Sequence, residues 1–285
     1  MWDILLGVIV FSSVYRRINL FLIRRRLKKN QLIPIIKGAE PYLLQPKQKT
    51  KVGVILIHGF TATPQEMKEL GNYLYKQNIT VYAPLLAGHG TIPEDLFRVK
   101  SQDWCNDIEK SISLLNNHCS EIYLIGNSFG GNLAFLSAKH PKVKGVIALG
   151  TPFIFRYDRI GKSIAYTLSK IKLFKKKHYH KKVKEIYKTS NRICYDQIPL
   201  FSLLEMLRTV NASKAVLPRF KKRVLLMQSE QDNLISKKSI DFAINNIGSK
   251  DKQVVWIPES IHVFISDKNK HLAFKEINKF IQKRE

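Results

Sequence analysis

From residue 51 onward, short apolar runs bounded by turn residues alternate with longer stretches whose apolar positions recur at helical spacing. Six runs read as strands: VGVILI (52–57), TVYA (80–83), IYLIG (122–126), GVIALG (145–150), RVLLMQ (223–228) and QVVWIP (253–258). Helices are predicted at about 65–77, 103–117, 129–139, 237–247 and 269–283. Nearly continuous apolar strands separated by helices mark a mostly parallel sheet covered on both faces, an α/β architecture. Thr63-Pro64 followed by Glu66 predicts a capped start for the first of these helices.

Residues 151–220 break the rhythm. Two apolar, helical-looking stretches, PFIF and IPLFSLLEMLRTV, flank a basic run with no strand signal. An insertion that follows a strand's C-terminal end lies over the edge where open parallel sheets bind ligands, so a helical cap is expected there.

The first thirty residues follow neither pattern. Residues 4–15 are continuously apolar or small; Arg16 and Arg17 interrupt, INLFLI follows, and RRRLKK closes the segment. A secretory leader carries its positive charge ahead of the apolar run, whereas here Asp3 precedes it and the arginines follow, which argues against a cleaved signal. Twelve apolar residues fall short of the roughly 20 that a bilayer core requires. Residues 1–30 are therefore expected to associate with a membrane, either lying in the interface or spanning with snorkelling arginines. Residues 31–285 are expected to form the α/β domain, on the cytoplasmic side if the segment spans.

Charge sharpens this picture. The chain holds 48 Lys and Arg against 22 Asp and Glu, a formal net charge of +26. One cluster is RRINLFLIRRRLKKN (16–30); another, residues 170–188, contains nine lysines and one glutamate. No zinc-finger, RNP-type or helix-turn-helix signature accompanies either, so an anionic membrane surface, rather than nucleic acid, is the expected partner. The lysines at 175–177 are expected to face that same surface. The three cysteines, Cys105, Cys119 and Cys194, lack metal-ligand spacing and cannot all pair, which suits a reducing compartment such as the cytoplasm.

The candidate chemistry centres on Gly126-Asn127-Ser128-Phe129-Gly130, a G-x-S-x-G that directly follows a predicted strand and directly precedes a predicted helix. In such an elbow the serine occupies a strained turn, and Gly126 and Gly130 supply room that side chains would fill. A phosphate-binding loop would instead place Lys and Ser or Thr after the glycines, where Asn132 and Leu133 stand. A serine nucleophile needs a base, itself oriented by an acid, and in the fold that carries this elbow they follow in the order serine, acid, histidine. Of the histidines beyond Ser128, His140 ends a helix, His178 and His180 sit in the basic run, and His271 falls within the last helix. His262, just past VVWIPES at a strand's C-terminal end, is the expected base. Glu230 and Asp232 both lie just past a strand end and are candidates for the acid. The oxyanion hole requires two backbone N–H groups, expected from Phe129 and from Phe60 in the HGF sequence that ends the first strand. His58 is expected to bond loop backbone rather than act as a base.

Together LIHGFTATPQEMKELGNYL, VYAPLLAGHGTIPEDL, DWCNDI, IGNSFGGNLA, SEQDNLIS and IHV, over roughly residues 52–268, resemble the bacterial carboxylesterase and monoacylglycerol lipase branch of the α/β-hydrolase superfamily, which is serine aminopeptidase S33-like. The resemblance prefers Asp232 over Glu230. It implies hydrolysis of carboxylic esters with apolar acyl chains through an acyl-serine intermediate, with no cofactor and no metal, and a small-molecule or lipid ester as substrate. Thioesterases, lysophospholipases, peptidases and acyltransferases use the same constellation. The chain departs from the family where Ile261, rather than glycine, precedes the histidine. A non-catalytic, membrane-associated binding protein is the alternative if Ile261 disables the site.

Overall fold

The computed structural model describes residues 14–15, 17–23, 25, 33–48, 50–155, 166–169, 172–179 and 181–283. Of the predicted apolar run 4–15, residues 4–13 lie outside the described residues.

Seven strands form the main sheet: β1 (Tyr42–Leu44), β2 (Val52–Ile57), β3 (Thr80–Ala83), β4 (Glu121–Asn127), β5 (Val143–Leu149), β8 (Arg223–Ser229) and β9 (Lys252–Ile257), in the order β1-β3-β2-β4-β5-β8-β9. All neighbours are parallel except β1, which pairs antiparallel with β3 at the edge. Two faces are buried, as the continuous apolar runs require. Ile55, Ile57, Leu124, Val146 and Leu226 point to one face, and Val54, Leu56, Ile125, Ile147 and Leu225 to the other. Each such side chain contributes about 1.5–3 kcal/mol by leaving water.

On the first face lie α2 (Ser101–Asn116), α3 (Phe129–Ser137), α5 (Leu200–Val216) and α6 (Lys238–Asn246); on the second lie α1 (Lys68–Lys76) and α7 (Lys270–Gln282). The chain thus crosses from one face to the other around β2 and β4, and a crevice outside the carboxyl ends of strands at such a switch point is where open sheets bind ligands.

Two expectations are corrected. The Thr63-Pro64 start is a 3₁₀ turn, Pro64–Met67, and the Thr63 hydroxyl donates to the Ile193 carbonyl at 3.2 Å instead of capping. The connection from β5 to β8 contains strands after all: β6 (Phe174–Lys176) and β7 (Gln197–Pro199) form an antiparallel ribbon, with α4 (Lys181–Thr189) between them. Its two apolar stretches serve the main body, because α5 packs against α3 and Phe153 of PFIF is fully buried in the core.

Candidate active site

Asn127 ends β4 and the chain turns at Ser128 with φ 51° and ψ −119°, a left-handed conformation that costs a non-glycine residue free energy of order 1–3 kcal/mol. The Ser128 amide donates to the Leu149 carbonyl at 2.6 Å, and α3 begins one residue later. A Cβ on Gly126 would stand 2.2 Å from the Gly130 backbone, and one on Gly130 would stand 2.3 Å from the Ile57 carbonyl oxygen. Neither position can accept a side chain without moving the backbone, which is why the serine sits between glycines.

His262, on the loop after β9, brings Nε2 to 3.2 Å from Ser128 Oγ and Nδ1 to 2.8 Å from Asp232 Oδ2. Asp232, three residues past β8, has its other oxygen fixed by the Leu234 and Ile235 amides at 2.9 and 2.8 Å. Burial raises the Asp232 pKa, but the neighbouring His262 and the hydrogen bonds from the imidazole and the two amides outweigh it and leave the carboxyl below its ordinary value. A carboxylate at Nδ1 keeps the proton on that nitrogen and leaves Nε2 free to accept. Glu230 is exposed, and its amide donates to Ile257, so of the two candidate acids only Asp232 meets the imidazole. His271 lies within α7, as expected.

The loop after β2 faces this line. A Cβ on Gly59 would lie 3.6 Å from Ser128 Cβ. Its amides are assigned in turn: Gly59 N–H to Glu66 Oε1 at 2.5 Å, Thr61 N–H to His89 Nε2 at 3.0 Å, and Ala62 N–H to the Gly59 carbonyl at 3.1 Å. Among the described residues the amides of Phe60 and Phe129 have no acceptor, as two donors held for a developing oxyanion would have none. Their rings meet edge to face at 5.7 Å.

Two histidines lace this loop to the one after β3. His58 accepts from the Leu86 amide at 3.1 Å, while His89, from the second loop, accepts from Thr61 in the first. Their Nδ1 atoms donate to the Gly59 and Ala87 carbonyls, at 2.9 and 3.0 Å. Burial lowers His58 to about 4 and, with His58 beside it, His89 to about 3, so both rings stay neutral and keep one nitrogen as an acceptor. His58 is thus a backbone ligand, as the sequence suggested. The GHG and DW motifs belong to the same support: Trp104 Nε1 donates to the Ala87 carbonyl at 3.0 Å, and Asp107 accepts from the Ala87 amide at 2.7 Å.

Glu66 escaped the sequence reading, which took it for a capping residue. Its carboxylate is buried, accepts from the Gly59 amide and from Asn127 Nδ2 at 3.1 Å, and forms an ion pair with Arg192. It therefore ties together the two segments that carry Phe60 and Ser128. Nothing local marks it, because two of its three partners, Asn127 and Arg192, lie 61 or more residues away.

Ile261, the departure from glycine, packs against Val183 and Val263, with Tyr179 and Tyr187 around them, and His262 still reaches both partners. It joins the histidine loop to α4. Ile261→Gly removes that buried side chain and frees the backbone, and is expected to lower stability by about 3 kcal/mol, measured by denaturant unfolding.

The sequence pattern of the Serine aminopeptidase, S33 family matches residues 48–269. A thermostable monoacylglycerol lipase of Bacillus sp. (strain H-257) is 31% identical over 255 residues, which cover 88% of this chain and 97% of the relative. A carboxylesterase of Bacillus subtilis (strain 168) is 26% identical over 239 residues, 81% and 92% of the two chains. Among solved structures, one from a study of the metagenome-derived lipolytic enzymes LipS and LipT superposes with a TM-score of 0.79 at 25% identity, covering 88% of this chain and all of that one. With more than half its length matched by the family pattern, this chain belongs to the Serine aminopeptidase, S33 family.

Proposed function

We propose that the chain is a serine esterase that cleaves carboxylic esters with apolar acyl chains, in the manner of a carboxylesterase or monoacylglycerol lipase. The observation that carries this reading is the line Ser128–His262–Asp232 at 3.2 and 2.8 Å, beside two amides without an acceptor. Ser128 Oγ attacks the ester carbonyl as its proton passes to His262 Nε2. Negative charge grows on the carbonyl oxygen and is met by the Phe60 and Phe129 amides. His262 returns the proton to the departing alcohol, leaving an acyl-serine; water then repeats the cycle and releases the acid. Asp232 holds the imidazole tautomer and stabilises the imidazolium without taking its proton. A serine-directed fluorophosphonate, followed by a panel of esters differing in acyl length and head group, tests the reading. Labelling and hydrolysis support it, and an unlabelled chain inert to every ester overturns it in favour of a binding protein.

Membrane attachment through residues 1–30 forms the second part of the proposal. Residues 14–25 include helical turns that expose Ile18, Phe21 and Leu22, each more than half accessible, beside exposed Arg17 and Arg25. Among the described residues no helix is long and apolar enough to cross a membrane. An apolar stripe flanked by cations suits a helix lying in an anionic interface. Leu20, on another side of the helix, lines a cavity of about 580 Å³ with Leu96, Phe97, Phe201 and Leu204; Ser128 and His262 do not line it. Seating three apolar side chains in lipid is worth several kcal/mol. Replacing Ile18, Phe21 and Leu22 by serine is expected to cut sedimentation with phosphatidylglycerol vesicles by tenfold or more while leaving hydrolysis of a soluble short-chain ester unchanged.

A further inference from the structure

The basic run was expected to present residues 175–177 to a membrane. Lys175 and Lys176 are exposed, but Lys177 is partly buried and its ammonium donates to Thr61 Oγ1. That hydroxyl in turn donates to the Phe60 carbonyl at 2.5 Å. Thr61 is itself held in a left-handed conformation, φ 65°, that β-branched residues avoid and that neighbours must enforce.

Further bonds from the same part of the chain reach the same loop. The Tyr195 amide donates to the Thr61 carbonyl at 2.9 Å, Gln65 donates to the Ser190 carbonyl at 2.8 Å, and Arg192 pairs with Glu66. The β6–α4–β7 segment therefore grips residues 61–66, immediately after Phe60, at several points. Arg192 pairs with Glu66, and Lys177 is balanced in turn by the nearby Asp196 carboxylate, so the two cations and two carboxylates are gathered where the oxyanion loop turns.

We propose that Lys177 is a positioning residue for ester hydrolysis: anchored on the Thr61 hydroxyl, it fixes the Phe60–Thr61 backbone so that the Phe60 amide points where the oxyanion forms. Seating of the β6–β7 ribbon and completion of the oxyanion hole are then one event. The inference rests on the assignment of Ser128, His262 and the Phe60 amide given above. It differs from a general packing role because the effect falls on the transition state, in which charge reaches the carbonyl oxygen, more than on substrate binding.

Several groups set the charge state of Lys177. Burial lowers it to about 8; Cys194, Glu66 and Asp196 oppose that fall, and Arg192 adds to it. His89 also feels the ammonium, and the Tyr179 ring lies 5.8 Å from it. The ammonium is present below that value and lost above it, so the grip on Thr61 weakens as the solution turns alkaline.

The test compares wild type, Lys177→Met and Lys177→Arg on a soluble short-chain p-nitrophenyl ester between pH 6 and 10, with Tm recorded for each. Removing one oxyanion donor outright costs about 10²–10³ in kcat, so loosening one is expected to cost roughly 30-fold in Lys177→Met with KM within about twofold. Wild-type kcat is expected to fall through pH 8, and Lys177→Arg to keep most of the activity and lose that alkaline limb. Unchanged kcat in Lys177→Met, a loss confined to KM, or a limb that persists in Lys177→Arg would overturn the proposal. Should Lys177→Met not fold, the arginine variant and the wild-type profile decide. A wild type that hydrolyses esters while Lys177→Met matches it removes this inference alone. A wild type that neither labels with fluorophosphonate nor turns over removes the hydrolase assignment, and this inference with it.

Discussion

Replacing Ser128 by alanine is expected to reduce kcat on a soluble ester by about 10⁴-fold or more, with little change in Tm. In the proposed mechanism the hydroxyl that faces His262 Nε2 at 3.2 Å forms the acyl bond, so the loss is large and what survives is the rate given by substrate binding and the two amides. Stability is spared for a local reason. Alanine meets the same φ of 51° as serine, so the backbone strain is unaltered, and Ser128's amide bond to Leu149 remains. A kcat within tenfold of wild type would show that another group is the nucleophile.

The second large effect is expected at Asp232→Asn, where kcat should fall by about 10⁴-fold although the volume is unchanged. The two oxygens of Asp232 are not equivalent: Oδ1 accepts from the Leu234 and Ile235 amides, and Oδ2 accepts from His262 Nδ1. Asparagine must place its carbonyl oxygen against the two amides, because an NH₂ there would oppose two donors. Its NH₂ then faces His262 Nδ1, which must become the acceptor, and the ring proton moves to Nε2. A protonated Nε2 cannot take the Ser128 proton. Steady-state kinetics would register the loss, and a shift of the ring-proton resonance in nuclear magnetic resonance would identify the tautomer as its cause. An Asp232→Asn variant with near-normal kcat would show that tautomer control lies elsewhere.

The strands that position these groups were legible because burial on both faces leaves an uninterrupted apolar run: 52–57 and 80–83 match β2 and β3 to the residue, and β4, β5, β8 and β9 differ by one or two at their ends. The edge strand β1 was not legible, since three half-exposed residues carry neither periodicity nor length. The ribbon β6–β7 was hidden by its composition, as lysines and a proline read as solvated chain and acquire strand geometry only by pairing with each other. The same division runs through the candidate site. Ser128 announces itself because its constraint is local, two glycines within two residues, and His262 follows from its place after a strand. Choosing Asp232 over Glu230 by contacts required knowing which carboxyl turns inward. Glu66, Lys177 and Arg192 carried no signal of these contacts, for a charged side chain is read as exposed until a distant segment covers it. Lys177 meets Thr61 across 116 positions of sequence.

Ser128 and His262 stand 134 positions apart, with Asp232 between them, 30 positions before the imidazole. During synthesis the proposed nucleophile therefore leaves the ribosome long before its proposed base has been translated, and it does so as an ordinary alcohol, a weak nucleophile at neutral pH. In the proposed mechanism, reactivity toward esters arises only once β9 has docked beside β8 and brought the imidazole to the hydroxyl, so the chain stays chemically silent until that segment has folded.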